Sequence, residues 1–259
     1  MLFALDIGND LTTLGLYDGQ HLRARWQITT PEDQSADEIA LKLSGLLQMK
    51  GFSAEQITDA IIGSVVPPLT ERCATTLEDH FGVKPKVVGP GLKTGMAIKY
   101  EDPRAVGADR IANAIAARAQ HPEGGLLLVA LGTATTLDVV SPKGAYLGGA
   151  ICPGLALTAE ALFSRGARLP RVEIKPPAQV VGRNTITSLQ SGLLYGHVSM
   201  VDGLGDRMLE ALDFECTVIA TGPLASTLAP MSKLIQHVAP QLTLDGLMLL
   251  YHRNRRSGR

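Results

Sequence analysis

Two short segments of this sequence end an apolar run with a glycine turn that could hold a phosphate group. Residues 6–9 read DIGN and residues 130–136 read ALGTATT, and a further apolar run follows each. Glycine lets backbone amides approach phosphate oxygens closely, and an aspartate at a strand end can hold Mg²⁺ through water. Asp6 supplies that carboxylate in the first segment, whereas the second has Ala130. The second turn is therefore a working phosphate site, a damaged one or an ordinary hairpin.

A third segment places a carboxylate beside a guanidinium at the start of a predicted helix. Residues 107–117 read GADRIANAIAA, with Asp109 and Arg110 in the first turn. The carboxylate could accept the proton of an attacking hydroxyl, and the arginine could hold substrate or phosphate charge. Aspartate in a first helical turn is also a common cap, so this segment alone leaves catalysis and capping open.

Composition limits the partners and the compartment. The chain has 259 residues with 24 basic and 25 acidic side chains, which predicts no electrostatic attraction to nucleic acid or to an anionic membrane. No apolar run approaches the roughly 18 residues of a membrane span. The three cysteines are scattered and form no CxxC pair, which is typical of the reducing cytoplasm. The sequence has no GxxxxGK[ST] loop, so nucleotide binding cannot depend on that device.

The elements that must position these residues alternate between strands and helices, which predicts an α/β fold. After residues 121–125 the pattern of strand, glycine turn, strand, turn and strand begins again. We interpret this as an internal duplication, although two unrelated hairpins would look alike over so short a span. The expected N-terminal lobe, 1–121, carries the first hairpin and the GADR helix. The expected C-terminal lobe, 122–259, carries the second hairpin and a long helix at a dimer contact.

Six segments in order carry a resemblance to a known family: DIGN, YxxPxxxGADRxxN, GTATTxD, GGAIxPG, GRNTxxSLQSGxxYG and ATG. Together they resemble the type III pantothenate kinases from residue 6 to about residue 226. The resemblance implies a duplicated two-lobed actin-like ATPase (ribonuclease H-like) fold, in which ATP lies between two hairpins. It also implies a homodimer and ATP-dependent phosphorylation of pantothenate to 4′-phosphopantothenate, the first step of coenzyme A biosynthesis.

The resemblance implies a role for each matching residue. Asp109 corresponds to the general base for the pantothenate hydroxyl, and Arg110 would meet the substrate carboxylate or the developing charge. Thr185 corresponds to a substrate contact supplied across the dimer interface. The other expected substrate contacts are Tyr100, Gly107 and Ala108. The expected ATP contacts are Asp6 (which also addresses Mg²⁺), Ile7, Gly8, Asn9, Asp10, Leu11, Thr12, Thr13, Thr133 and Gly222.

The sequence departs from the family pattern on the nucleotide side. Ala130 stands where the family carries an aspartate that binds a monovalent cation, K⁺ or NH₄⁺, and a methyl group cannot ligate a cation. Asp138 is a candidate substitute, although it lies beyond the turn. Asp10 replaces a threonine whose hydroxyl could donate to phosphate, and an ionised carboxylate cannot donate. Pro223 replaces a glycine after ATG and removes a backbone N–H.

Three hypotheses follow from this combination of intact and altered motifs. The first is a cytoplasmic, dimeric pantothenate kinase in which a relocated charge, such as Asp10 with Mg²⁺, restores ATP binding without K⁺. The second is a catalytically impaired paralogue that acts as a binding or regulatory protein. The third is another small-molecule kinase on the same fold. The intact Asp109 favours the first.

Overall fold

The computed structural model describes residues 1–30, 33–166 and 168–255, which form two compact units. The first unit contains residues 1–119 together with the segment from Leu242 onward, and the second contains residues 120–241. The strands are β1 (Leu2–Ile7), β2 (Leu11–Asp18), β3 (His21–Thr29), β4 (Asp59–Ser64), β5 (Lys86–Val87), β6 (Gly125–Leu131), β7 (Ala134–Val140), β8 (Tyr146–Pro153), β9 (Cys216–Thr221) and β10 (His237–Val238). The α-helices are α1 (Ala36–Met49), α2 (Pro67–Phe81), α3 (Ala108–Gln120), α4 (Leu155–Arg165), α5 (Thr185–Glu210), α6 (Ala225–Leu228) and α7 (Leu242–Arg255).

The sheet of the first unit has the strand order β3-β2-β1-β4-β5. Strands β1, β2 and β3 are antiparallel neighbours, and β4 continues parallel to β1. Side chains alternate between the two faces of a strand, so Phe3, Leu5 and Ile7 share one face of β1. They pack in one apolar cluster with residues from α1 and α2. This core holds the end of β1 in a fixed position.

The opposite face of that sheet, which carries Asp6, packs against α7. A Cβ atom added to Gly63 in β4 would lie 2.8 Å from Leu247, and one added to Gly15 in β2 would lie 3.0 Å from Leu244. Tyr17 in β2 donates a hydrogen bond to Asp245 at 2.8 Å. Helix α7 buries its apolar side chains on the sheet of the first unit and is therefore grouped with that unit, although it follows residues 120–241 in the sequence.

The sheet of the second unit repeats the order of the first, as β8-β7-β6-β9-β10. Strands β6, β7 and β8 are antiparallel neighbours, and β9 runs parallel to β6. Helices α4, α5 and α6 contribute to its apolar cluster. The repeated topology agrees with the predicted duplication. Among the described residues, no helix combines the length and the apolar composition needed to cross a membrane.

The two glycine turns lie at equivalent places in the two sheets. Asp6 is the penultimate residue of β1 and lies opposite Thr13, the third residue of β2. Ala130 is the penultimate residue of β6 and lies opposite Thr136, the third residue of β7. The first turn has three residues, 8–10, and the second has two, 132–133. The alignment of position 6 with position 130 therefore holds in three dimensions.

Candidate active site

The first glycine turn is held by hydrogen bonds from both sides. The amide of Gly8 donates to the carbonyl of Leu11 at 3.0 Å, and a Cβ at Gly8 would lie 2.9 Å from that same oxygen. Thr30, which follows β3, donates from its hydroxyl to the carbonyl of Gly8 at 2.7 Å. The amide of Thr30 donates to the carbonyl of Asp10 at 2.8 Å. Thr30 therefore fixes the turn, a role that no local sequence pattern indicates.

The side chains of this hairpin divide between its two faces. Asp6 and Thr13 share one face and are partly exposed. Ile7 and Thr12 are buried on the other, where the hydroxyl of Thr12 lies 3.0 Å from that of Thr30. Of the residues expected to contact ATP, Ile7 and Thr12 thus have side chains that point into the protein. Those exposed at the turn are Asn9, Asp10 and Leu11.

The carboxylate of Asp6 lies close enough to that of Asp109 for the two charges to interact. Burial and the negative charge of Asp109 raise the pKa of Asp6 to about 7, and the cation of Arg25 acts in the opposite direction. Arg25 lies opposite Gly15 in β2, which in turn lies opposite Ala4, so its side chain shares the face of Asp6. Two carboxylates from β1 and α3 therefore face one site within the first unit.

The GADR segment forms the first turn of α3. The amide of Ile111 donates to the carbonyl of Gly107 at 3.2 Å, which begins the helix. A Cβ at Gly107 would lie 2.5 Å from Oδ1 of Asp109, so the absence of a side chain at Gly107 leaves room for the carboxylate. Ala108 and Arg110 are buried, whereas Asp109 is partly exposed. Tyr100, earlier in the same segment, is exposed.

The second glycine turn is enclosed by two further glycines. Gly154, which follows β8, donates from its amide to the carbonyl of Thr133 at 2.9 Å, and a Cβ there would lie 2.2 Å from the carbonyl of Gly132. Gly222 has a φ of +96°, and a Cβ there would lie 2.6 Å from the carbonyl of Leu131. Thr133 and Gly222 are thus brought together with Gly154, the last residue of the GGAIxPG segment, to which the sequence analysis assigned no role.

No side-chain carboxylate occupies the position of Ala130. Its neighbours across the sheet are Thr136 on β7 and Thr221 on β9, and both are buried. Asp138 is also buried, and its carboxylate accepts hydrogen bonds from Thr136 at 3.0 Å and from Tyr146 at 2.6 Å. Both carboxylate oxygens of Asp138 therefore already accept protein hydrogen bonds, and the side chain at position 130 offers no ligand for a monovalent cation.

The residues around Asp6 have the chemistry of a Mg²⁺ site. The described part of the chain contains no group of three His, Cys, Asp or Glu side chains that could hold a metal ion. Magnesium typically takes one or two carboxylates and completes its shell with water and substrate phosphates. Asp6, with a second carboxylate nearby at Asp109, fits that donor set.

Thr185 is the first residue of α5 and is exposed. It borders a groove between α4 and α5 whose walls are largely apolar: Thr158, Leu162, Leu169, Thr185, Ser188, Leu189, Gly192 and Leu193. Gly192 and Gly196 are exposed, and a Cβ at either would meet no atom within 4 Å. This face of α5 is therefore open within the second unit, rather than packed in its core.

Comparison with known proteins identifies the family. A model described as type III pantothenate kinase matches residues 2–207. The chain belongs to the type III pantothenate kinase family. A type III pantothenate kinase of Anaeromyxobacter sp. (strain Fw109-5) is 51% identical over 259 residues, which cover 98% of this chain and 100% of that protein.

Solved structures share the fold of the pantothenate kinase chain at low sequence identity. A putative Baf family transcriptional activator from Campylobacter jejuni matches with a TM-score of 0.62 and 17% identity, over 98% of this chain and 99% of that one. A putative 2-dehydro-3-deoxygalactonokinase from Sinorhizobium meliloti matches with a TM-score of 0.61 and 12% identity, with the same coverage. The predicted duplicated actin-like, sugar-kinase type of fold is confirmed.

Proposed function

We propose that this protein transfers the γ-phosphoryl group of ATP to the primary hydroxyl of pantothenate, forming 4′-phosphopantothenate for coenzyme A biosynthesis. The observation that carries the proposal is the 51% identity, along the whole chain, to a type III pantothenate kinase. The paired carboxylates of Asp6 and Asp109 support it, because phosphoryl transfer to an alcohol needs a metal ligand and a proton acceptor.

Asp109 is the general base in this proposal. Its carboxylate accepts the proton of the pantothenate hydroxyl as the oxygen attacks phosphorus. Gly107 keeps the carboxylate in place, since any side chain there would displace it. Arg110 supplies a cation for the substrate carboxylate or the developing charge, and Tyr100 and Ala108 complete the substrate contacts. Arg110 is largely buried, so only a small part of its guanidinium is available to a ligand.

The first glycine turn contacts the phosphates of ATP through its backbone, at residues 6–13. The family resemblance assigns two further ATP contacts, Thr133 at the phosphates and Gly222 beside the adenosine. Ile7 and Thr12 can take part only through their backbone, because their side chains are buried on the other face of the hairpin. Mg²⁺ at Asp6 would neutralise charge on the phosphate oxygens. Asp10 is exposed in the same turn and would repel the phosphates unless the metal ion lies between them.

We expect the reaction to need no monovalent cation. Ala130 has no side-chain oxygen, and the carboxylate of Asp138 accepts hydrogen bonds from Thr136 and Tyr146. The K⁺ or NH₄⁺ that the family resemblance implied therefore has no evident side-chain ligand at this position. Mg²⁺ is the one cation that the proposal includes.

We further propose a cytoplasmic homodimer in which Thr185 of one protomer contacts the substrate of the other. The open face of α5 supports this, since Gly192 and Gly196 would let a second helix approach closely. Exposed apolar side chains lie on α4, at the start of α5 and in the segment before α5: Leu157, Leu162, Val180, Val181 and Ile186. Large exposed apolar patches mark protein interfaces, and these residues are candidates for such a patch.

A coupled assay with pantothenate, ATP and Mg²⁺ tests the proposal, with and without added K⁺. We expect turnover that does not depend on K⁺ and that Asp109→Asn lowers by at least about 100-fold. Ala130→Asp should introduce stimulation by K⁺. Absence of turnover in any salt, with pantothenate still bound, would instead favour the impaired paralogue. Equal activity in Asp109→Asn would rule out the proposed base.

A further inference from the structure

The last turn of α7 holds the backbone at the start of the segment that leads to the GADR turn. Asn254 accepts a hydrogen bond at Oδ1 from the amide of Lys93 at 2.9 Å and donates from Nδ2 to the carbonyl of Lys93 at 3.0 Å. Its Nδ2 also donates to the carbonyl of Leu250 at 2.9 Å, within α7. The neighbouring Arg253 donates to the carbonyl of Thr94. Two consecutive side chains of α7 therefore bind two consecutive residues of this segment.

Gly95 shows how closely the helix and the segment approach. Its φ is +66°, a conformation that favours glycine. The guanidinium of Arg253 occupies the space where a Cβ at Gly95 would lie, so a side chain there would have to displace it. The hydroxyl of Thr94 then donates to the carbonyl of Met96 at 3.0 Å and closes a local turn. The chain conformation at 93–96 is thus matched to the end of α7.

The first turns of α7 contact α3, the helix that follows residues 93–107. Thr243 donates to Oδ1 of Asn113 in α3 at 2.8 Å. A Cβ at Gly246 would lie 2.0 Å from the carbonyl of Ala112, so the backbones of α7 and α3 touch. Asp109 lies one turn before Asn113 on α3. One helix therefore contacts the chain on both sides of residues 97–107.

We propose that α7 sets the spacing between Tyr100 and Asp109, and that Asn254 is a positioning residue for pantothenate binding. This inference rests on the proposed function of those two residues. Between Met96 and Ala108 the structure has one 3₁₀ turn, Pro103–Ala105, and an isolated β-bridge residue, Ile98. A segment with so little regular structure depends on its contacts with other elements, including those that hold its ends. Asn254 holds the N-terminal end of this segment through Lys93.

The variant Asn254→Ala tests the inference in the full-length protein. Loss of two hydrogen bonds to Lys93 should raise the KM for pantothenate by about five- to tenfold, with kcat and the KM for ATP within about twofold. Asn254→Asp keeps the acceptor but lacks the donor, so its KM should be intermediate. His252→Ala is the matched control, because His252 lies in the same turn of α7 but contacts the carbonyl of Gly19 at 3.1 Å.

Hydrogen exchange on the substrate-free protein supplies a readout that does not depend on catalysis. Amides of residues 93–100 should exchange faster in Asn254→Ala than in the wild type or in His252→Ala. An unchanged KM for pantothenate in an active enzyme, or an equal rise in both KM values, would overturn the inference. If the wild type does not phosphorylate pantothenate, the proposed function fails. In that case, unchanged hydrogen exchange at residues 93–100 in Asn254→Ala would still overturn the inference that Asn254 holds this segment.

Discussion

Replacing Asp6 by asparagine should make the ligand-free protein more stable while abolishing its use of Mg²⁺·ATP. The pKa of Asp6 is raised from 3.8 to about 7 by burial and by Asp109, so ionisation of Asp6 costs more in the folded chain than in the unfolded one. A raised pKa of this size corresponds to about 4 kcal/mol at 1.36 kcal/mol per unit. Because Asp6 is partly exposed, water and salt screen the repulsion, and we expect a gain of about 1–3 kcal/mol.

The sign of the pH dependence follows from linkage. Stability from a group with a raised pKa is fully present below the unfolded value of 3.8 and declines until the pH passes the folded value of about 7. The asparagine variant has no such group. The difference in unfolding free energy between variant and wild type should therefore be largest at about pH 8 and fall to about half or less at about pH 5.

Urea unfolding of both proteins at the two pH values, without nucleotide or metal, measures this difference. The control is Asp79→Asn, which removes the same charge from an exposed position on α2 and should change stability by no more than about 0.5 kcal/mol. Addition of Mg²⁺·ATP should then stabilise the wild type and not Asp6→Asn. An asparagine variant that is less stable, or a difference that does not change with pH, would refute the electrostatic reasoning.

Two further substitutions test how each site residue is held. Gly107→Ala should lower kcat by about 100-fold without loss of stability, because the new Cβ would lie 2.5 Å from Oδ1 of Asp109 and displace that carboxylate. The control is Gly45→Ala, where the new Cβ lies in open space on α1. An unchanged kcat in Gly107→Ala would contradict the role assigned to Gly107. Thr30→Val should lower the free energy of unfolding in urea by about 1–2 kcal/mol, because the hydrogen bond to the carbonyl of Gly8 is lost. It should also raise the KM for ATP rather than the KM for pantothenate. An unchanged KM for ATP would show that the turn does not depend on Thr30.

Local features of the fold were predictable because local chemistry determines them. A serine followed three residues later by a glutamate is a local signature of a helix start, and Ser35 and Glu38 form such a capping box, in which Ser35 accepts from the Glu38 amide at 3.3 Å. A glycine after an apolar helical pattern is a local signature of a helix end, and α2 ends at Gly82, which lies in the left-handed region at φ +65°. The repeat of strand and turn was visible because duplication preserves the periodicity of the apolar residues.

The contacts that hold the candidate site were not predictable, because they join residues distant in sequence. Thr30 reaches Gly8 across 22 residues, and Asn254 reaches Lys93 across 161. Neither threonine nor asparagine carries a local signal that names such a partner. The packing of α7 on the first sheet is not visible in the sequence for the same reason. Its leucine side chains fit against Gly15 and Gly63, and only the assembled sheet brings these glycines onto one face.

The two hairpins are equivalent in the fold, but only the first carries a carboxylate at the penultimate position of its first strand. A carboxylate at position 130 would lie between Thr136 and Thr221, which are both buried, so its ionised form would pay a desolvation cost like that of Asp6. A bound cation would offset that cost, but without one the ionised side chain would weaken the fold and repel a triphosphate. Alanine at this position removes both penalties. At Asp6 the corresponding cost remains, and the proposed Mg²⁺ would offset it.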